Sequence, residues 1–163
     1  MGIGLCLVVI ARGLGTLGDV GVRGRVGDVV LRAAPVVAAG GVPLRPGDDV
    51  VVRFRVHAER GLSDELVAVY SDEVRRVELR WDRDCDGVAE PVATLPLEHG
   101  VVPSGRGVGA DYRLVLVGLR EEHTVGSTVV VKFDFALAGE LTVAVPVAQM
   151  AVNSGSCFDA GVV

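Results

Sequence analysis

A chain of 163 residues with 50% hydrophobic but only 4% aromatic residues has the length of one domain plus its ends. Roughly one residue in five is valine, and 22 glycines and 7 prolines supply turns while good helix formers are thin, which excludes a helix bundle. The net charge is −5, with charges that alternate with apolar residues instead of forming basic runs, so nucleic acid is not an expected partner; the single lysine, Lys132, leaves almost nothing for Schiff-base or P-loop chemistry.

The first predicted element is the apolar run Ile3 to Ala11 (IGLCLVVIA), too short to span a bilayer as a helix. It has the length of a signal-peptide core, yet nothing basic stands between Met1 and Ile3. It reads as a clipped export signal within a leader over 1–25, or else as a buried strand. Cys6 follows Leu5, where a lipidated cysteine prefers a small neighbour, so lipidation at Cys6 is a weak alternative. With Cys6 in a leader, Cys85 and Cys157 remain as a candidate disulfide or as two separate thiols. Their spacing resembles no zinc site.

Val29 to Ala33 is expected to open the domain. The Pro46-Gly47-Asp48 turn then leads into a half-buried strand over Asp49 to His57, with Val50, Val52, Phe54 and Val56 on one face and Arg53, Arg55 and His57 on the other. Leu66 to Tyr70 is a second strand. Val74 to Trp81 again has period two, setting Val77, Leu79 and Trp81 against Arg76, Glu78 and Arg80. Leu114 to Leu119, Val129 to Phe135 and Leu141 to Val147 continue the series, with breaks at Gly126 and Ala138-Gly139-Glu140. Short strands without a helical period predict an all-β fold, an antiparallel β-sandwich or barrel over 26–147, and a C-terminal tail over 148–163.

The segment Leu114 to Val147 (LVLVGLREEHTVGSTVVVKFDFALAGELTVAVPV) has an apolar strand ending in Gly-Leu, a short Gly loop and a Val/Thr-rich strand ending in Phe. Ala-Gly and a last strand of Val-x-Val-Pro-Val type follow. This resembles the C-terminal half of the periplasmic copper chaperone family PCu(A)C, and Val29 to Ala33, the Pro-Gly-Asp turn and Glu65 to Leu79 (ELVAVYSDEVRRVEL) look like that family's first strands. The resemblance spans about Val26 to Val147. Within it, the run of an apolar strand, Ser-Asp and Val is most similar to the LpqE-like branch of exported lipoproteins from high-GC Gram-positive bacteria. It implies a cupredoxin-like or immunoglobulin-like β-sandwich. Copper-binding members use H-x10-M-x21-H-x-M, a soft thioether and imidazole set suited to Cu(I). That spacing falls here on Arg80, Pro91, Arg113 and Val115, none of which holds copper, and the two arginines would repel a cation. Arg80 and Arg113 would instead face an anion or a partner carboxylate there, or stand as solvated strand arginines.

Asp82-Arg83-Asp84-Cys85-Asp86-Gly87 matches the start of a calcium loop, with Glu90 as a further oxygen donor, but position twelve of an EF-hand loop is Ala93 and no helix flanks it. The competing reading is an acidic hairpin tip. His57, His99 and His123 together with Met150 would be the raw material of a relocated metal site, with no sequence support for their convergence. His57 reads as a surface residue, and His99 and His123 as turn or loop residues. Ser104-Gly105-Arg106-Gly107-Val108-Gly109 lacks the strand-to-helix setting of a nucleotide fingerprint, and no Gly-x-Ser-x-Gly elbow exists, so no enzyme is expected.

The expectation is an exported, envelope-associated, non-catalytic binding protein with no cofactor, copper and calcium being the minor alternatives. The resemblance implies attachment to the outer face of the cytoplasmic membrane through an N-terminal anchor and a protein partner there, the respiratory cytochrome supercomplex. The alternative is a copper chaperone that serves cytochrome oxidase through replacement ligands.

Overall fold

The computed structural model describes residues 21–37, 43–59, 63–83, 86–97 and 111–149. Among these, the chain forms eleven strands and no helix: β1 (Val22–Val26), β2 (Val29–Ala33), β3 (Val36–Val37), β4 (Val50–Ala58), β5 (Asp64–Tyr70), β6 (Val74–Asp82), β7 (Glu90–Pro91), β8 (Leu95–Leu97), β9 (Asp111–Leu119), β10 (Thr128–Phe135) and β11 (Gly139–Ala148). They make a six-stranded sheet, in the order β1-β2-β4-β9-β6-β7, packed on a five-stranded sheet, β3-β11-β10-β5-β8. All pairings are antiparallel except β3 with β11 at one edge. The fold is the cupredoxin-like β-sandwich expected from the sequence.

The alternation of apolar and polar residues decides which face of each strand enters the sandwich. In β4, Val50, Val52, Phe54 and Ala58 are buried, while Val51, Arg55 and His57 are exposed. β9 buries Leu114 and Leu116, and β10 buries Val129, Val131, Phe133 and Phe135. Phe54 of the first sheet meets Phe133 of the second with ring centroids 5.5 Å apart, and Tyr112 and Trp81 extend this aromatic line along the first sheet. Each fully buried aliphatic or Phe side chain contributes about 1.5–3 kcal/mol, so this shared core holds both sheets in fixed register.

Local chemistry sets the connections. Asp48 N donates to Arg45 O at 3.1 Å, and Gly47 has φ 93°, so Arg45-Pro46-Gly47-Asp48 is a type II turn with Pro and Gly at its two central positions. Asp64 caps the β10–β11 hairpin: its Oδ1 accepts from Leu137 N and its Oδ2 from Ala138 N, both at 2.9 Å.

The domain begins earlier than the sequence predicts. β1 occupies Val22–Val26, where the leader was expected to run to residue 25, and pairs with β2 through all five of its residues. Gly24 makes this docking feasible: a Cβ there would lie 3.1 Å from both terminal carbons of Leu141 and 3.2 Å from Val143. β1 can lie this close to β11 because that position has no side chain.

Candidate functional site

Strand order brings together residues that are far apart in the chain. On the outer face of the six-stranded sheet, Arg53 of β4 stands opposite Arg113 of β9, Arg113 opposite Arg80 of β6, and Arg80 opposite Pro91 of β7. Val115, two residues beyond Arg113, shares this face opposite Val51 and Glu78. Directly opposed residues have Cβ atoms about 4.5–5.5 Å apart, so Arg80, Pro91 and Arg113 are immediate neighbours and Val115 is one diagonal step away.

Two carboxylates organise this cluster. Glu78 receives Nη2 of Arg80 at 2.8 Å and Nη2 of Arg76 at 2.7 Å. The hydrogen bond from Arg80 and the charges of both arginines hold the Glu78 carboxyl below the usual glutamate range, against a smaller opposing contribution from burial. Asp82 is fully buried; its Oδ1 accepts from Asp86 N at 3.2 Å, and its Oδ2 accepts from Gly87 N at 2.9 Å and lies 3.6 Å from Arg113. A buried carboxylate with these partners orients Arg113 and pins the turn after β6. Arg80 Nε is buried and makes no hydrogen bond.

A second row lies beside the first. Arg23 of β1 faces Arg32 of β2, and Arg32 faces Arg55 of β4. All three are exposed and have no ion-pair or hydrogen-bond partner among the described residues. Arg25, nearer the rim, pairs with Glu59, which also lies 3.9 Å from His57. Between them Val30, opposite Arg25 and His57, is only 1% exposed although it sits on the outer face. Flanking side chains shield it, as arginine stems do when their heads stay in water. The row Arg23–Arg32–Arg55 therefore presents guanidinium N–H donors suited to anionic oxygen.

The remaining sequence candidates are dispersed or lie outside the described residues. Of the acidic stretch, Asp82 has both oxygens turned onto backbone amides and Arg113, Asp86 accepts from Val88 N at 2.8 Å, and Glu90 is exposed on β7. Asp84, Cys85, Cys157, Cys6, His99 and Met150 fall outside the described residues. His57 is exposed, as expected. His123 is a correction: its backbone bridges Leu44, with N–H···O bonds of 2.9 and 3.0 Å in both directions, which draws the ring into the interior at 8% exposure and 3.4 Å from Glu73. A loop reading missed it because the bridging residue lies 79 positions away. Among the described residues no three His, Cys, Asp or Glu side chains form a metal-binding group.

The arginine rows were also not visible in the sequence. Period two fixed the outward direction of Arg53, Arg55 and Arg80, but adjacency depends on strand order, which one sequence does not reveal.

The architecture is that of a PCuAC-type domain. In solved structures the fold matches the apo PCuAC domain of PmoF2, with a TM-score of 0.57 and 17% identity over 78% of this chain and 94% of that one. It also matches the apo PCuAC domain of PmoF1, with a TM-score of 0.54 and 17% identity over 78% and 99% of the two chains. Residues 25–147 match the family described as "Putative lipoprotein LpqE-like", and the chain belongs to that LpqE-like family. No curated protein matches the chain.

Proposed function

We propose that this chain is an exported, envelope-associated, non-catalytic binding protein built on the PCuAC frame, an accessory to a membrane protein complex of the respiratory cytochrome type. In this reading the copper position of the ancestral domain has become an arginine site. The observation that carries it is the cross-strand cluster Arg53–Arg113–Arg80 with Pro91 alongside. Of the four residues on the family's ligand spacing, Pro91 and Arg113 both stand opposite Arg80 and Val115 is one diagonal step away; the two nearby carboxylates are committed to arginines, with Asp82 also holding two backbone amides. Permanently charged guanidiniums at such a spot oppose a cation and favour an anionic group on a partner. The family description supports the envelope assignment.

A competition titration of the full chain with Cu(I) and Cu(II) against a chelator of known affinity, read by native mass spectrometry, tests the reading. No copper should be retained above the chelator. One tightly held copper per chain would overturn it in favour of copper delivery through replacement ligands, with His57, His99, His123 and Met150 the first residues to mutate.

A further inference from the structure

We infer that the outer face of the six-stranded sheet docks a protein partner that sets carboxylates against the row Arg23–Arg32–Arg55 and an apolar side chain against Val51 and Val115. The inference rests on the reading of the chain as an accessory binding protein and adds to it the surface used and the chemistry of the partner that this surface takes.

Charge is uneven across this face. In the row of the family's ligand positions, Arg80 is bonded to Glu78, Arg113 lies beside Asp82, and Arg53 is engaged as well. Arg25 and Arg76, toward the rim, pair with Glu59 and Glu78. Arg23 of β1, Arg32 of β2 and Arg55 of β4 differ: they are exposed and directly opposed, with no carboxylate among the described residues to pair them. Like charges opposed on a sheet are unfavourable, so carboxylates supplied from outside make charge-assisted hydrogen bonds and relieve that repulsion together.

The apolar half of the surface lies on the other side of the compensated row. Val51 is 50% exposed and stands opposite Val115, which is only partly buried. Val117, also partly buried, is the next outward residue of β9. Arg55 lies four residues beyond Val51 on β4 and faces the same way, which puts the two halves about 13 Å apart at the rise of an antiparallel strand. Both fit inside one protein interface, where apolar contact and arginine are the enriched components.

The same two halves favour a protein over a uniformly charged layer. The chain carries −5 overall, so an anionic bilayer or a nucleic acid repels it at long range. The arginines of the compensated row are engaged within the chain, which confines the uncompensated positive charge to one row of three. Hydrated headgroups would also leave Val51 and Val115 without an apolar contact. A partner surface with carboxylates beside an apolar side chain meets both halves at once.

The test places the photoreactive residue p-benzoylphenylalanine at Val51 of the full chain in the cells that make it, with the same residue at Ala144, exposed on the outer face of β11, as control. On irradiation, Val51 should label one protein and Ala144 should not label it. The triple variant Arg23→Gln, Arg32→Gln, Arg55→Gln should cut that labelling on the order of tenfold, the combined effect of three exposed ion pairs. The variant Arg23→Lys, Arg32→Lys, Arg55→Lys should keep most of it, which separates charge from folding. Arginine in place of the partner's acidic residues around the labelled site should abolish labelling, and Arg23→Glu, Arg32→Glu, Arg55→Glu should restore it. Labelling of phospholipid in place of protein, equal labelling from Ala144, labelling unchanged in the triple Gln variant, no restoration by the triple Glu variant, or no labelling from Val51 would each overturn the inference. The copper titration and protease accessibility of the chain on intact cells read the accessory assignment separately: an exported chain that retains no copper and gives no adduct at Val51 sinks the docking surface alone.

Discussion

The two outer faces of the sandwich share one core and differ in almost everything else. On the six-stranded sheet, arginine rows cross the strands, and the carboxylates Glu78 and Asp82 hold Arg76, Arg80 and Arg113 in place. On the five-stranded sheet, charges are sparse and paired locally: Lys132 lies 3.4 Å from Asp72 and over the ring of Tyr70, whose hydroxyl donates to Glu140. On the second face Lys132 and Tyr70 have carboxylate partners, whereas the first leaves Arg23, Arg32 and Arg55 exposed.

The largest effect should come from the core on which both faces depend. Phe133→Ala removes the ring that meets Phe54 across the sandwich and should cost about 3–5 kcal/mol; in urea, Trp81 fluorescence and far-UV circular dichroism should report one common, lowered midpoint. Separate midpoints would mean that the two sheets do not unfold as a unit.

Next come the carboxylates that anchor each face. Asp82→Ala strands the Asp86 and Gly87 amides and leaves Arg113 without its buried partner, a loss of about 2–3 kcal/mol. Asp64→Ala on the other side exposes the two hairpin amides to water and should cost about 1 kcal/mol. Equal losses by thermal melting would erase the asymmetry between a buried anchor and a rim anchor.

Arg32→Gln should do the reverse and stabilise. It removes a charge opposed on both sides by Arg23 and Arg55, a gain of about 0.5 kcal/mol at low salt that fades as salt is added. A destabilised variant would show that the row is held by attractions other than those seen.

The smallest effects are in pH dependence, and they have opposite signs on the two faces. The folded Glu78 carboxyl titrates below its ordinary range, so its contribution is present above that range and is lost as pH falls through the depressed value. Tyr70 is pushed up to about 12, first by its hydrogen bond to Glu140, so its contribution is present below its ordinary value of 10.0 and is lost as pH rises toward about 12. Urea midpoints across pH should show the acid limb shrink in Glu78→Gln and the alkaline limb shrink in Tyr70→Phe.

Much of the fold was legible because the strands that build the core alternate strongly. β4, β6, β9, β10 and β11 lie where period two puts them, to within a few residues at the ends, and β2 and β5 lie where short apolar runs put them. The elements that escaped notice are short or interrupted. β7 and β3 have two residues each, β8 is Leu-Pro-Leu, and β1 is broken by Gly24, whose role is visible only from its contact with Leu141 and Val143. At the site, the family resemblance pointed to Arg80, Pro91, Arg113 and Val115. Nothing in the sequence pointed to Arg53 joining their row, or to Arg23, Arg32 and Arg55 forming another, because those contacts follow from the order β1-β2-β4-β9-β6. Asp82 looked like the first ligand of a calcium loop for a related reason: Asp and Gly in a turn read alike whether the carboxylate wraps a cation or accepts from the turn's own amides.

The central claim is that a copper frame persists with arginines at its ligand positions, and restoring the ligands tests it most directly. The quadruple variant Arg80→His, Pro91→Met, Arg113→His, Val115→Met places the family's donor set on three adjoining strands. Titrated with Cu(I) against a chelator, it should take up one copper per chain while the parent chain takes up none. A folded variant that binds no copper, or a parent that binds as tightly as the variant, would contradict the account.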